Sequence, residues 1–125
     1  MAHLQSLAIP AEHGALEGLL RLPDGLAAAP RLAAVICHPQ PLYGGTMHTK
    51  AVFRIAQALV AHGVPTLRFN FRGVGRSTGR YDEGAGEADD VRAALAELAR
   101  RFPGVPLCVG GVSFGAWVGL PVGCA

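Results

Sequence analysis

The pattern Gly-x-Ser-x-Gly occurs twice, as Gly75-Arg76-Ser77-Thr78-Gly79 and as Gly111-Val112-Ser113-Phe114-Gly115. A serine flanked in this way acts as a nucleophile when it sits on a sharp turn from strand to helix. Glycines two residues before and after it remove side chains that would collide there. The hydroxyl then projects above the sheet edge, and the N–H of the next residue faces a developing oxyanion. Ser113 has that context: Leu-Cys-Val precedes its glycines and Ala-Trp-Val-Gly-Leu follows. Ser77 lacks it, because Thr-Gly-Arg-Tyr-Asp-Glu-Gly reads as loop. Its expected role is a solvated or turn-bonding hydroxyl. The plainer alternative for Ser113 is a small residue suited to a tight turn.

An oxyanion needs a second backbone donor, usually from a loop earlier in the chain. His38-Pro39-Gln40-Pro41-Leu42-Tyr43-Gly44-Gly45-Thr46 is the candidate. Pro39 and Pro41 have no N–H to give. Gln40 is the obvious donor and Leu42 the second. Two prolines stiffen the segment, which suits a preorganised donor. A rigid turn without chemistry is the plainer reading.

The elements that must position these residues follow from periodicity. Leu4–Ile9, closed by Pro10, and Ala15–Leu22, closed by Pro23-Asp24-Gly25, read as neighbouring antiparallel strands. Leu32–Cys37 is an apolar run of the kind buried on both faces. Thr49–His62 carries Val52, Ile55, Ala56, Leu59 and Val60 at helical spacing, with Gly63 as its cap. Pro65–Phe71 alternates Leu67, Phe69 and Phe71 with Thr66, Arg68 and Asn70, a pattern that leaves Arg68 unexplained in a covered strand. A Gly- and Arg-rich loop runs from Arg72 to about Gly86, followed by a helix over Glu87–Arg101. Glu87, Asp89 and Asp90 at its start and Arg100 and Arg101 at its end suit the helix dipole. Leu107–Val109 is the last strand, and Ala116–Leu120 begins a helix that Pro121 and Gly123 are expected to interrupt. Strand and helix alternate from the third strand on. The fold class is therefore α/β: about five strands in a mostly parallel sheet, an antiparallel first pair, and flanking helices.

Composition narrows the function classes. The 125 residues carry a net charge of +2, and 50% of them are hydrophobic. That is one globular domain over residues 1–125, with no room for two. The Lys and Arg residues form no basic run, so no nucleic-acid partner is expected. No apolar stretch is long enough for a membrane span, and no leader pattern opens the chain. Cys37, Cys108 and Cys124 fit neither a disulfide framework nor a zinc site, so no metal is expected and a reduced, cytoplasmic setting is. Gly73-x-Gly75-x-x-x-Gly79 is one residue out of step with the dinucleotide fingerprint and opens no helix, and there is no P-loop lysine. Arg72, Arg76 and Arg80, with Asp82 and Glu83 nearby, read as a solvated, partly self-paired loop; holding an anionic substrate group is the sharper alternative. Phe114 and Trp117 read as core or pocket wall.

Taken together, HPQPLYGGTMHTKAV, RFNFRGVGRSTGRYDEGAGEADDVRAAL and GGVSFGA resemble the alpha/beta-hydrolase superfamily. The chain is most similar to small bacterial serine hydrolases with an HPxPLxGGTM loop and an FRGVGxSxG loop. The resemblance spans about residues 31–118. It implies a serine hydrolase acting on a small-molecule ester-type bond without a cofactor. By resemblance, Ser113 matches the nucleophile, Phe114 and Gln40 match the oxyanion donors, and Gly111 and Gly115 shape the turn. His38 matches a histidine that shapes the oxyanion loop and is not the general base.

The chain departs from that family after Ser113. Family order is nucleophile, acid, histidine, yet residues 114–125 contain no Asp, Glu or His. All five histidines precede Ser113. His38, and after it His48, are the substitute bases to consider. The sheet is expected to lack the family's last strands, leaving the fifth strand with an open edge through which the chain self-associates. A non-catalytic fragment, or a pseudoenzyme that binds a partner, is the alternative function.

Overall fold

The computed structural model describes residues 3–26 and 29–124. The chain opens with two long strands, β1 (His3–Ala11) and β2 (Gly14–Leu22). They pair antiparallel in unbroken register from His3 opposite Leu22 to Ala11 opposite Gly14. β1 runs through Pro10, where the sequence predicts it to end. The strand lies at the sheet edge, where a missing N–H costs no ladder bond.

β3 (Ala33–Cys37) is buried along its whole length, as its apolar run requires. After a short 3₁₀ turn over Pro41–Tyr43 come α1 (Lys50–Ala61) and β4 (Thr66–Phe69). Then follow α2 (Ala85–Arg101), β5 (Leu107–Gly111) and α3 (Phe114–Cys124). The sheet order is β1-β2-β4-β3-β5, with β3 parallel to both β4 and β5. Among the described residues β5 is an edge, and all its residues are half-buried.

The helices divide the core between the two faces. On one side Val91, Ala94 and Leu98 of α2 and Phe114 and Val118 of α3 pack on Leu20, Val35, Leu67 and Phe69. On the other, Val52 of α1 packs on Ala34 and Ile36. This second face explains Arg68. Its side chain is only 3% exposed and reaches across to donate Nη1 to the Met47 carbonyl at 3.1 Å. The guanidinium groups of Arg68 and Arg21 lie 5.5 and 5.4 Å from the ring centre of Phe53 of α1. Burial, then the charge on Arg21, lowers the pKa of Arg68. Its Nε has no hydrogen-bond partner among the described residues.

Contrary to expectation, α3 continues through Pro121 to Cys124. Packing against the sheet holds it. A Cβ on Gly115 would collide with the Cys37 and His38 carbonyls. A Cβ on Gly119 would lie 3.0 Å from Cys37 Sγ and from Val109 Cγ1, and one on Gly123 would lie 3.1 Å from Val109 Cγ2. Glycine at every fourth position thus lets the helix lie directly on β3 and β5. That contact offsets the backbone bond lost at the proline, worth about 1 kcal/mol net. Gly115→Ala is expected to destabilise by about 2–3 kcal/mol, because it meets backbone that cannot yield. Gly119→Ala, which meets only side-chain atoms, is expected to cost under about 1 kcal/mol. Urea melts of the two variants check this order.

Candidate active site

Ser113 stands between β5 and α3 at φ +54°, a left-handed conformation seldom adopted outside glycine. The flanking glycines permit it. A Cβ on Gly111 would come within 2.5 Å of the Ala116 nitrogen, and Gly115 is closed in by the end of β3. The turn is tied to β3 by the Val112 N–H, which donates to the Cys37 carbonyl at 3.1 Å. Cys37 beneath it is fully buried, and burial pushes its thiol up to about 12, so it is no nucleophile at neutral pH. Cys108 is half-buried with its pKa raised by the same cause. The Cys124 side chain lies outside the described residues.

The loop after β3 reaches the same end of the sheet. Three contacts fix it to β4 and the segment that follows, and a fourth lies within the loop. The Phe71 N–H donates to His38 Nε2 at 3.0 Å, and His38 Nδ1 donates to the Pro39 carbonyl at 2.7 Å. Asn70 Oδ1 accepts from the Met47 N–H at 2.8 Å, and Arg68 holds the Met47 carbonyl. Arg68 of β4 and Asn70 just beyond it are therefore buried clamps, while the buried Thr66 hydroxyl donates to the Val64 carbonyl. Gln40 sits at the turn of this loop. Its Nε2 donates to Tyr81 Oη at 3.3 Å, and its Oε1 accepts from the Leu42 N–H at 3.4 Å. That bond occupies Leu42, the second candidate donor. The backbone N–H groups of Gln40 and Phe114 make no hydrogen bond among the described residues.

Two cavities meet at Ser113. The larger, about 620 Å³, is lined by Gln40, Tyr43, Tyr81, Glu83, Phe114 and Trp117 as well as Ser113. The smaller, about 290 Å³, is lined by the 39–45 loop, Thr49 and Ser113. Other grooves of the surface lie on β1–β2 and the end of α1, away from this turn. No histidine lines either cavity among the described residues. His38 is fully buried with both ring nitrogens engaged, so it has no free position to take a proton from Ser113. His48 is exposed and lines neither cavity. Neither substitute base is available in this arrangement.

Burial lowers the His38 pKa from 6.5, opposed by its bond to the Pro39 carbonyl. The unfolded imidazole takes its proton near pH 6.5, the folded one only at lower pH. Between those points the unfolded chain binds more protons, so stability falls as pH drops. The stability it contributes is complete above about 6.5 and is lost as pH falls through the lower folded value. The urea midpoint is expected to decline from pH 7 to 5.5, and less steeply in His38→Asn. The lowered carboxyl of Glu97 acts only below its ordinary 4.5, outside that window.

The second Gly-x-Ser-x-Gly is structural. Ser77 is 7% exposed, donates to the Asn70 carbonyl at 2.6 Å and accepts from the Glu17 N–H at 2.8 Å. It pins the loop to β2 and is not solvated. Arg72 also differs from expectation. Its side chain hydrogen-bonds Asp90 of α2 through Nε and Nη2, while Asp82 of its own loop acts on it through charge alone. Asp90 is 1% exposed and also accepts from the Arg72 N–H at 2.9 Å and bonds His13 Nε2 at 3.1 Å. Glu87 is fully buried and accepts from the N–H groups of Asp82 and Gly84 at 2.8 and 2.9 Å, closing the start of α2. Tyr81 and Glu83 are site residues the sequence did not single out. They come from a loop with no regular period.

Known proteins share this arrangement. A family model described as serine aminopeptidase, S33, matches residues 28–124. An alpha-beta serine hydrolase homologue from Coxiella burnetii is 41% identical with a TM-score of 0.88, covering 94% of this chain and 56% of that one. A serine hydrolase without a lid, from Xanthomonas campestris, is 40% identical with a TM-score of 0.87, covering 98% of this chain and 56% of that one. An uncharacterized protein of Rickettsia prowazekii is 44% identical over 88 residues, which are 70% of this chain and 37% of that protein. The chain thus spans little more than half the length of the solved relatives. Among the described residues, no helix is long and apolar enough to cross a membrane. With a strained serine turn, glycines fitted to it and a family match over most of its length, the chain belongs to the serine aminopeptidase S33 family of alpha/beta serine hydrolases.

Proposed function

We propose that Ser113 is the nucleophile of an ester hydrolase, with the backbone N–H groups of Phe114 and Gln40 as its oxyanion donors. The observation that carries this reading is Ser113 at φ +54° where two cavities meet. Strain of this kind costs of order 1–3 kcal/mol and persists where the surroundings impose it. Both amides are free to bind an oxygen that gains charge in the transition state. Attack by Ser113 Oγ on the ester carbonyl gives a tetrahedral oxyanion. Loss of the alcohol leaves an acyl-serine, and water releases the acid. Among the described residues no histidine lines either cavity to take the serine proton.

A fluorophosphonate probe tests this in the protein at its natural length. Labelling is expected in the wild type and lost in Ser113→Ala. Folded protein that takes no label overturns the reading. It would favour the second one, a binding-only protein, for which the lack of a histidine in either cavity among the described residues speaks.

A further inference from the structure

We propose that the larger cavity selects esters bearing an alkylated ammonium group, held by the aromatic faces of Trp117 and Tyr81 and the carboxylate of Glu83. This rests on Ser113 being the nucleophile.

Four of the cavity's lining residues are aromatic, and its one charged residue is an acid. Three of the aromatics, Tyr81, Phe114 and Trp117, are held in place. The position a Cβ would take on Gly84 lies 2.6 Å from the Trp117 ring, so the missing side chain makes room for the indole. Phe114 supports Trp117 at 6.1 Å between ring centres and Tyr81 at 6.0 Å. The Gln40 amide holds the Tyr81 hydroxyl. Trp117 is nevertheless 67% exposed, a large apolar ring presented to whatever enters.

Glu83 is the second feature. It adopts φ +56° beside Gly84 at +105°. Its carboxylate has no hydrogen bond or ion pair among the described residues, unlike neighbouring Glu87 and Asp90. Among the described residues no arginine or lysine lines the cavity, and Arg72 is occupied by Asp90. The anion-binding alternative for this loop therefore has no cation at the site. Ring faces carry negative potential that attracts a cation, and the carboxylate adds to it. Both repel an anionic group, while a plain alkyl chain is indifferent to Glu83.

Two ester pairs test this in the protein at its natural length. Acetylcholine and 3,3-dimethylbutyl acetate place the charged or neutral group on the alcohol. Betaine ethyl ester and ethyl 3,3-dimethylbutanoate place it on the acyl part. For at least one pair, the charged-to-neutral ratio of kcat/KM is expected to fall roughly three- to tenfold in Glu83→Gln and in Trp117→Leu. Intrinsic ester reactivity cancels in that comparison. Ratios unchanged in both variants, with turnover that vanishes in Ser113→Ala, overturn the ammonium selection alone. Turnover that survives Ser113→Ala overturns the reading of the nucleophile. A binding measurement stands beside the kinetics. Tetramethylammonium is expected to quench Trp117, the one tryptophan of these 125 residues, and to bind at least threefold more weakly in Glu83→Gln. A quench no greater than that of equal sodium chloride overturns the proposal.

Discussion

Ser113→Gly is expected to make the protein more stable and inactive at once. Glycine adopts φ +54° without the clash that an L side chain meets, so relief of the strain is worth about 1 kcal/mol. Glycine is also freer in the unfolded chain, which trims that gain. The same change removes one of the two hydroxyls, Ser113 and Tyr43, that line both cavities among the described residues. Ester hydrolysis by the protein at its natural length is expected to fall at least about 10³-fold. Urea melts and initial rates on the same preparations read both quantities. A serine kept merely for a tight turn predicts the first effect without the second. Unchanged rates would remove Ser113 from the chemistry.

Asp90→Ala is expected to cost about 3–5 kcal/mol, enough to unfold much of a marginal domain. The carboxylate is buried and receives the Arg72 side chain, the Arg72 backbone N–H and His13. Truncating it takes from the Arg72 guanidinium, 17% exposed, its hydrogen-bonded partner and leaves only the weaker charge attraction of Glu87 and Asp82. Arg72→Met with Asp90→Leu is expected to cost less than Asp90→Ala alone, since neither charge is then left unpaired. Chemical denaturation of the single and double variants decides it. A loss below about 1 kcal/mol for Asp90→Ala would place this pair with ordinary surface ion pairs.

What the sequence made legible is what depends on neighbours along the chain. The turn at Ser113 could be read because its requirements lie within five residues, Gly111 to Gly115. The strand and helix order, and the antiparallel first pair, followed from periodicity and turn chemistry. The polar half of β4 was opaque because its partners are distant: Arg68 bonds a carbonyl 21 residues earlier, and Asn70 an amide 23 residues earlier. Arg72 was assigned to acids of its own loop, but the buried one lies 18 residues on, across a turn of unpredictable shape. Pro10 and Pro121 were read as stops because proline is a local breaker. An edge position excuses the first, and close packing of a glycine face on the sheet carries the second.

The attachment of the 38–47 loop to β4 has a consequence for how the site comes into being. β4 is inserted between β2 and β3. The Gln40 amide belongs to a loop whose anchors, Arg68, Asn70 and the Phe71 N–H, all lie on or just beyond that strand. A chain in which β4 has not yet docked has the Ser113 turn in its sequence but nothing to fix its partner. The hydrolysis proposed for Ser113 therefore requires β4 to be docked between β2 and β3, and rate recovered during refolding is expected to report that pairing.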